Sequence, residues 1–243
     1  MVTPNPNNRR RTLTVLRELM ARDEAGGETP KLRPVLTISR KSGAGGVTIA
    51  AQLAAQLRAG EEGEDLPWAA FDKTLLDAVL MDQDLPSRLK RYMPEDRISP
   101  VNALLGEIFG LHPSTLALFQ KTNETMLRLA HLGHVILVGR GANLVTAHLA
   151  HALHVRLVCS LERGIQRTMA ARSCSEREAE DIVLREDRAR ARYVKQHFGV
   201  DIEDPRHYHL IVNTDRFTDD EVVDLLANTV TIHFLRPDQA AGA

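Results

Sequence analysis

Ser39-Arg40-Lys41-Ser42-Gly43-Ala44-Gly45-Gly46-Val47-Thr48 is the stretch from which the rest of the chain is read. The apolar run Val35–Ser39 before it has the composition of a buried strand. After it, Val47, Ala50, Leu53, Ala54 and Leu57 recur at helical spacing, which predicts a helix over Val47–Leu57. A turn of small residues between a strand and a helix is the setting in which a backbone binds phosphate. Small residues let the chain curl until several N–H groups point inward. The free N–H groups of the helix's first turn add the positive end of its dipole. Ser42, Gly43, Ala44, Gly45, Gly46 and Val47 supply the curl, and Thr48 offers a hydroxyl to a phosphate oxygen. Taken alone, the stretch reads equally as a tight turn with no ligand. The strand before it, the helix after it and the arginines further on favour phosphate.

The usual phosphate loop reads G-x-x-x-x-G-K-[ST]. Here Arg40 stands in place of the first Gly and Gly46 in place of the Lys. The side chain that normally bridges the outer phosphates is missing. Arg40 and Lys41, at the other end of the loop, are the candidates to bring a cation back.

Outward from the loop, short apolar runs alternate with helical patterns. Trp68–Phe71, His134–Val138, Val155–Cys159 and Leu210–Asn213 read as further strands. Lys73–Met81 reads as a helix. Capping boxes at Ser175–Glu178 and Thr218–Glu221 open helices expected to run to about Lys195 and Val230. Apolar strands separated by helices predict a parallel five-stranded sheet covered on both faces. Residues 82–131 carry no strand pattern and read as a helical insertion between the second and third strands. Residues 1–33 read as an extension, a helix over Thr12–Arg22 followed by a Gly/Pro linker, and 235–243 as a tail.

Composition sets the bounds. In 243 residues, 43% are hydrophobic and 26% charged, which excludes wholesale disorder. Thirty-one basic and thirty-two acidic residues leave a net charge of −1, so no global field draws the chain to nucleic acid or membrane. Its longest uncharged runs, Ser42–Leu57 and Gly141–Val155, are shorter than the ~18–20 residues of a membrane span. Arg9–Arg11 has no apolar core behind it, so no secretory signal is expected. Two cysteines, Cys159 and Cys174, make neither a disulfide framework nor a zinc spacing, which fits a reducing, cytoplasmic setting. His148, His151 and His154 recur every three residues and are expected on a half-exposed helix face rather than around a metal. No metal ligand set is expected. Tyr92, Phe109 and Phe119 either pack the insertion or stack on a base.

Several motifs then fall in order. They are Ile38–Gly46; Phe71-Asp72-Lys73; Val135–Asn143, with Gly139-Arg140-Gly141 at its centre; Glu162-Arg163 with Arg167; Asp187–Tyr193; and Tyr208–Thr214. Over Pro34–Ile232 this set resembles the cytidylate-kinase-like family, relatives of true cytidylate kinase among the nucleoside monophosphate kinases. The resemblance implies a P-loop NTPase core, three-layer α/β/α, with a helical NMP-binding insertion and an arginine-rich lid at about 163–190. It implies ATP and Mg²⁺, with the γ-phosphoryl passing to a pyrimidine nucleoside monophosphate such as CMP or dCMP. It carries Ser42, Gly43, Ala44, Gly45, Gly46, Val47 and Thr48 over as donor-phosphate contacts. Asp72, Lys73, Arg140, Asp187 and Arg190 carry over to the acceptor, and Arg40, Arg163, Arg167 and Arg190 to catalysis. Against true cytidylate kinases, Gly46 replaces the loop Lys, Gly141 an Asp after the Gly-Arg pair, and Ala78 an Arg. A second reading therefore stands beside the first: a nucleotide-binding regulatory protein without turnover.

The chemistry is consistent with either reading. Phosphoryl transfer needs in-line positioning and concentrated positive charge. Arg163, Arg167, Arg172, Arg177, Arg185, Arg188, Arg190 and Arg192 supply guanidiniums that fork onto phosphate oxygens. For Arg172, Arg177 and Arg185, surface ion pairing is the plainer expectation. Arg140 and Asp72 follow strand ends, which face the ligand crevice of open α/β sheets; Asp72 also reads as a helix N-cap.

Overall fold

A computed structural model describes Thr14, Arg17 and residues 33–59, 68–81 and 113–234. Apart from Thr14 and Arg17, the expected N-terminal helix and linker, the tail, and residues 82–112 of the insertion lie outside the described residues. Within them the order is β1 (Val35–Arg40), α1 (Gly46–Ala59), β2 (Ala69–Phe71), α2 (Lys73–Met81) and α3 (Pro113–Leu132). Then come β3 (Val135–Val138), the one-turn α4 (Ala142–Val145), β4 (Ala152–Val158), α5 (Leu161–Arg172) and α6 (Glu176–Phe198). A 3₁₀ turn at Pro205–His207, β5 (Leu210–Asn213) and α7 (Asp219–Phe234) complete it.

The five strands form one parallel sheet in the order β2-β3-β1-β4-β5. The central strands are apolar and buried on both faces, as a sheet sandwiched between helices requires. On one face Leu36, Ile38, Ile136 and Val138 pack against Ile49 and Leu53 of α1 and Val222 and Leu226 of α7. On the other, Val35, Val135 and Leu137 pack against Leu76 and Val79 of α2, Met126 and Leu129 of α3, and Ala142 of α4. The helices that follow β1 and β3 therefore leave to opposite faces. That divergence opens a crevice between the carboxyl ends of these two neighbouring strands, where ligands bind in open α/β sheets.

Both capping boxes form. Ser175 and Glu178 exchange side-chain and backbone bonds at the start of α6, and Thr218 and Glu221 do the same before α7. The helices run a little past the expected ends, to Phe198 and Phe234. Among the described residues no helix is long and apolar enough to cross a membrane.

The expected histidine helix is absent. α4 stops after one turn, and β4 begins at Ala152, three residues before the apolar run that marked it. His148 lies in the turn between them. His154 is an interior strand residue bonded through Nδ1 to Thr37 Oγ1 at 2.9 Å and stacked on His209. His154, polar and on the same face as Arg156, hid the first three residues of the strand. No group of three or more metal-binding side chains occurs among the described residues.

Burial, with the charge of His209, pulls the His154 pKa down from 6.5 to about 4. The fold thus prefers the neutral ring, and the unfolded chain takes up the proton first as the pH falls. The contribution is complete above pH 6.5 and is lost on going down toward 4. The melting temperature should fall across that window, and His154→Gln should flatten the fall. An equal slope in both proteins would contradict this assignment.

Candidate active site

The loop is built by two left-handed glycines, Gly43 at φ +77° and Gly45 at φ +79°. Lys41 N bonds to Leu157 O of the neighbouring strand, and Ala44 N closes a turn onto Lys41 O. The first interior bond of α1 comes from Ile49 N to Gly45 O. Among the described residues, the amides of Gly45, Gly46, Val47 and Thr48 meet no protein acceptor. Val47 and Thr48 are exposed at the positive end of α1, while Arg167 and Asp219 crowd Gly45.

Above the loop lie α5 and α6. Ser160 caps α5 by accepting from Arg163 N. A Cβ on Gly43 would overlap Cα of Gly164, so the two backbones touch. Cys159 Sγ donates to Ser42 O at 3.3 Å; burial, with the nearby Asp215 and Asp187, pushes this thiol up to about 11, so it is not a thiolate.

Arg190 reaches back to the loop. Its Nη1 donates to Ser42 Oγ at 2.6 Å and to Asp187 Oδ1 at 2.8 Å, and its Nη2 to Glu186 Oε2 at 2.9 Å. Asp187 Oδ1 also accepts from the Ser42 backbone N–H at 2.8 Å. Glu186 accepts from Arg172 Nη2 at 2.5 Å. Burial pushes the Glu186 carboxyl up, but its bonds with Arg172 and Arg190 overcome that and hold its pKa below the ordinary value. Arg167 donates to Gly43 O at 3.2 Å and to Asp219 Oδ1 at 2.5 Å. Arg163 stands apart from the loop centre. Its Nη2 meets Phe217 O at 3.5 Å, and it borders a polar cavity of about 320 Å³ with Ser160, Asn213 and Asp215.

Across the crevice, Gly139, Arg140 and Gly141 are left-handed in succession, at φ +82°, +55° and +70°. A non-glycine residue held there is strained, and such strain gathers at functional sites. Arg140 Nη2 donates to Asp77 Oδ1 at 2.8 Å, and its charge works against the burial that raises the Tyr193 pKa. Phe198 packs where a Cβ on Gly141 would stand. Asp72 caps α2, accepting from Leu75 N at 2.9 Å, so the N-cap reading holds for it. Lys73 is exposed and Ala78 is buried.

The structure thus brings Arg40, Ser42–Thr48, Asp72, Asp187 and Arg190 to one end of the sheet. Arg167 lies at the loop's outer edge. Arg140 turns toward α2, and Arg163 faces the cavity on the β5 side. The sequence reading missed Glu186 and Asp77 as ion-pair partners, and a network behind the loop. There Arg156, inside β4, donates to Ser39 Oγ at 2.9 Å and Glu203 Oε1 at 2.6 Å, while Tyr208 OH donates to Ile202 O. A charged residue in the apolar run Val155–Leu157 was the available signal, because a buried guanidinium requires partners.

The sheet order, the loop and the arginines above it define a P-loop NTPase fold of the kinase type. The sequence matches the cytidylate kinase-like family over residues 35–216, and the chain belongs to that family. Among solved structures, an uncharacterized protein from Eubacterium ventriosum ATCC 27560 aligns at 16% identity and TM-score 0.62, over 82% of this chain and 99% of that one. Its likeness is one of fold. A shikimate kinase from Bacteroides thetaiotaomicron aligns at 15% identity and TM-score 0.43, over 81% of this chain and 98% of its own. No curated protein matches the sequence.

Gly43→Ala tests the contact between the loop and α5. The added methyl meets Gly164 backbone and must adopt a positive φ. It should cost about 1–3 kcal/mol and lower Tm by several degrees. An unchanged Tm would show that the two backbones do not pack this way.

Proposed function

We propose that the chain transfers the γ-phosphoryl group of ATP to a pyrimidine nucleoside monophosphate of the CMP or dCMP kind. The observation that carries this reading is the row of open amides at the start of α1, set beside the Arg190–Asp187 pair of α6. Amides and a helix dipole suit the oxygens of a polyphosphate. The donor set fits ATP through Ser42, Gly43, Ala44, Gly45, Gly46, Val47 and Thr48. Mg²⁺ keeps most of its ligands as water and phosphate oxygen, so one hydroxyl such as that of Thr48 suffices from the protein; the ion would neutralise charge on the phosphates.

In this reading Arg167 and Arg190 hold the equatorial oxygens of the moving phosphoryl and keep water out when the lid closes. Arg163 lies beside the donor. Asp72, Lys73, Arg140 and Asp187 orient the acceptor. Ser42 and Asp187 exchange their present bond for contacts to the two nucleotides. Since the transition state asks for positioning and charge rather than covalent help, these groups are sufficient in kind.

Two observations favour the second reading, a nucleotide-binding protein without turnover. Asp187 already occupies the Ser42 amide, and position 46 carries no cation. The two separate in one assay. With ATP, Mg²⁺ and a panel of nucleoside monophosphates, a kinase forms diphosphates, most readily from CMP or dCMP. A regulatory protein gives a raised melting temperature with ATP and no product. Arg190→Ala should lower kcat by roughly 10²–10³-fold; unchanged turnover would remove Arg190 from the mechanism.

A further inference from the structure

Arg156 lies inside β4 with 2% of its side chain exposed, where a guanidinium needs partners. Nη1 donates to Ser39 Oγ at 2.9 Å, across the paired positions Ser39 and Arg156 of β1 and β4. Nη2 donates to Glu203 Oε1 at 2.6 Å. The Tyr208 ring lies against the same group, its centroid 5.6 Å from Cζ, and its hydroxyl stands 3.4 Å from Ser39 Oγ. Among the described residues Glu203 is the one carboxylate on this charge, and Nε meets no acceptor.

The polar layer extends along the sheet. Thr37 and His154 form the neighbouring cross-strand pair. His154 N donates to His209 Nδ1 at 3.0 Å, and Asn143 Nδ2 to His207 O at 3.3 Å. The connection from α6 to β5 is thus fastened to the sheet by directional bonds. Apolar packing is non-directional and lets a segment slide; hydrogen bonds and an ion pair set a register.

These contacts close a ring. Ser39 stands three residues before Ser42, and Ser42 holds Asp187 and Arg190 of α6. α6 runs on unbroken to Phe198, where Gly199 caps it at φ +72°. Lys195 Nζ ties down Gly199 O at 3.1 Å. Four residues further, Glu203 returns the chain to Arg156 and so to Ser39. One short stretch at the end of β1 therefore holds α6 near its middle and beyond its end. A shift at one hold must be taken up at the other.

We propose that Arg156 is a positioning residue: through Ser39 and Glu203 it fixes the register of α6 on the glycine loop, and so the place of Asp187 and Arg190 over that loop. Its effect on turnover rests on the phosphoryl-transfer reading above; the coupling between the two holds does not.

Glu203→Ala, at a side chain 55% exposed, opens the ring without cutting into the core. Hydrogen exchange of the full chain without nucleotide reads the other hold, since the Ser42 N–H is bonded to Asp187. That amide should exchange about fivefold faster or more in Glu203→Ala, while the amides of β3 keep their wild-type rates. Arg156→Met should match or exceed that rise. Glu203→Gln, which keeps an oxygen for the guanidinium, should restore most of the protection. With ATP, Mg²⁺ and CMP, Glu203→Ala should lower kcat by about fivefold or more and change KM for ATP less than about twofold. Added to Arg190→Ala it should cost nothing further, because its effect passes through Arg190. Ser42 exchange that stays at the wild-type rate, or rises only in step with β3, overturns the proposal. So does a loss of kcat that adds in full to that of Arg190→Ala. Turnover absent on every acceptor removes the kinase reading, and the exchange rates then decide this proposal alone.

Discussion

Guanidinium groups crowded at the carboxyl end of a parallel sheet repel one another, and the acids that separate them shape the site. Glu186 lies between Arg172 and Arg190. Asp187 takes Arg190 and the Ser42 amide together. Asp219 holds Arg167 at the edge of the loop, and Asp77 holds Arg140 on the far side of the crevice. Each pair is partly exposed, so each alone contributes little to stability. Their common effect is positional. They hold α5 and α6 over the loop, with Gly43 and Gly164 in backbone contact beneath. A phosphate entering the crevice competes with these carboxylates for the same donors. On the proposed reading, binding is an exchange of anions on the donors that α5 and α6 hold over the loop.

The backbone prepares the same exchange. The helices after β1 and β3 depart to opposite faces of the sheet, so no helix packs between the two strand ends, and the Arg40 side chain runs from the end of β1 against Gly139. One side of the gap is the glycine loop; the other is the left-handed run Gly139-Arg140-Gly141. Holding Arg140 at positive φ costs on the order of 1–2 kcal/mol. The cores on the two faces, which bury Phe71, Leu76 and Trp68 among others, are large enough to bear that strain.

What was legible in the sequence was local. The strand before the loop, the helix after it and both capping boxes are set by neighbours within a few residues. Asp72 directly follows β2 and caps α2, as its position after an apolar run suggests, whereas Arg140 follows β3 by one glycine and turns to Asp77. What stayed hidden depended on distant partners. Arg190 meets Ser42 across 148 residues of chain. The path of Arg40 is explained by Gly139, which belongs to another strand. In the sequence β4 reads from Val155 rather than Ala152 because His154, a polar residue with buried partners, interrupts the apolar run. At Gly46, where a lysine is usual, nothing in the sequence signals that the Arg40 side chain packs against the backbone.

The central claim is that the first-turn amides of α1 form an anion cup on which the arginines above the loop converge. Backbone amide resonances of the full chain, followed while ATP and Mg²⁺ are added, test it most directly. The account predicts that the largest shifts fall on Gly45, Gly46, Val47 and Thr48, and that the Arg190 side-chain signals move at the same nucleotide concentration. Saturation with ATP that leaves these four amides unmoved, or that shifts them while Arg190 stays on Asp187, would contradict it.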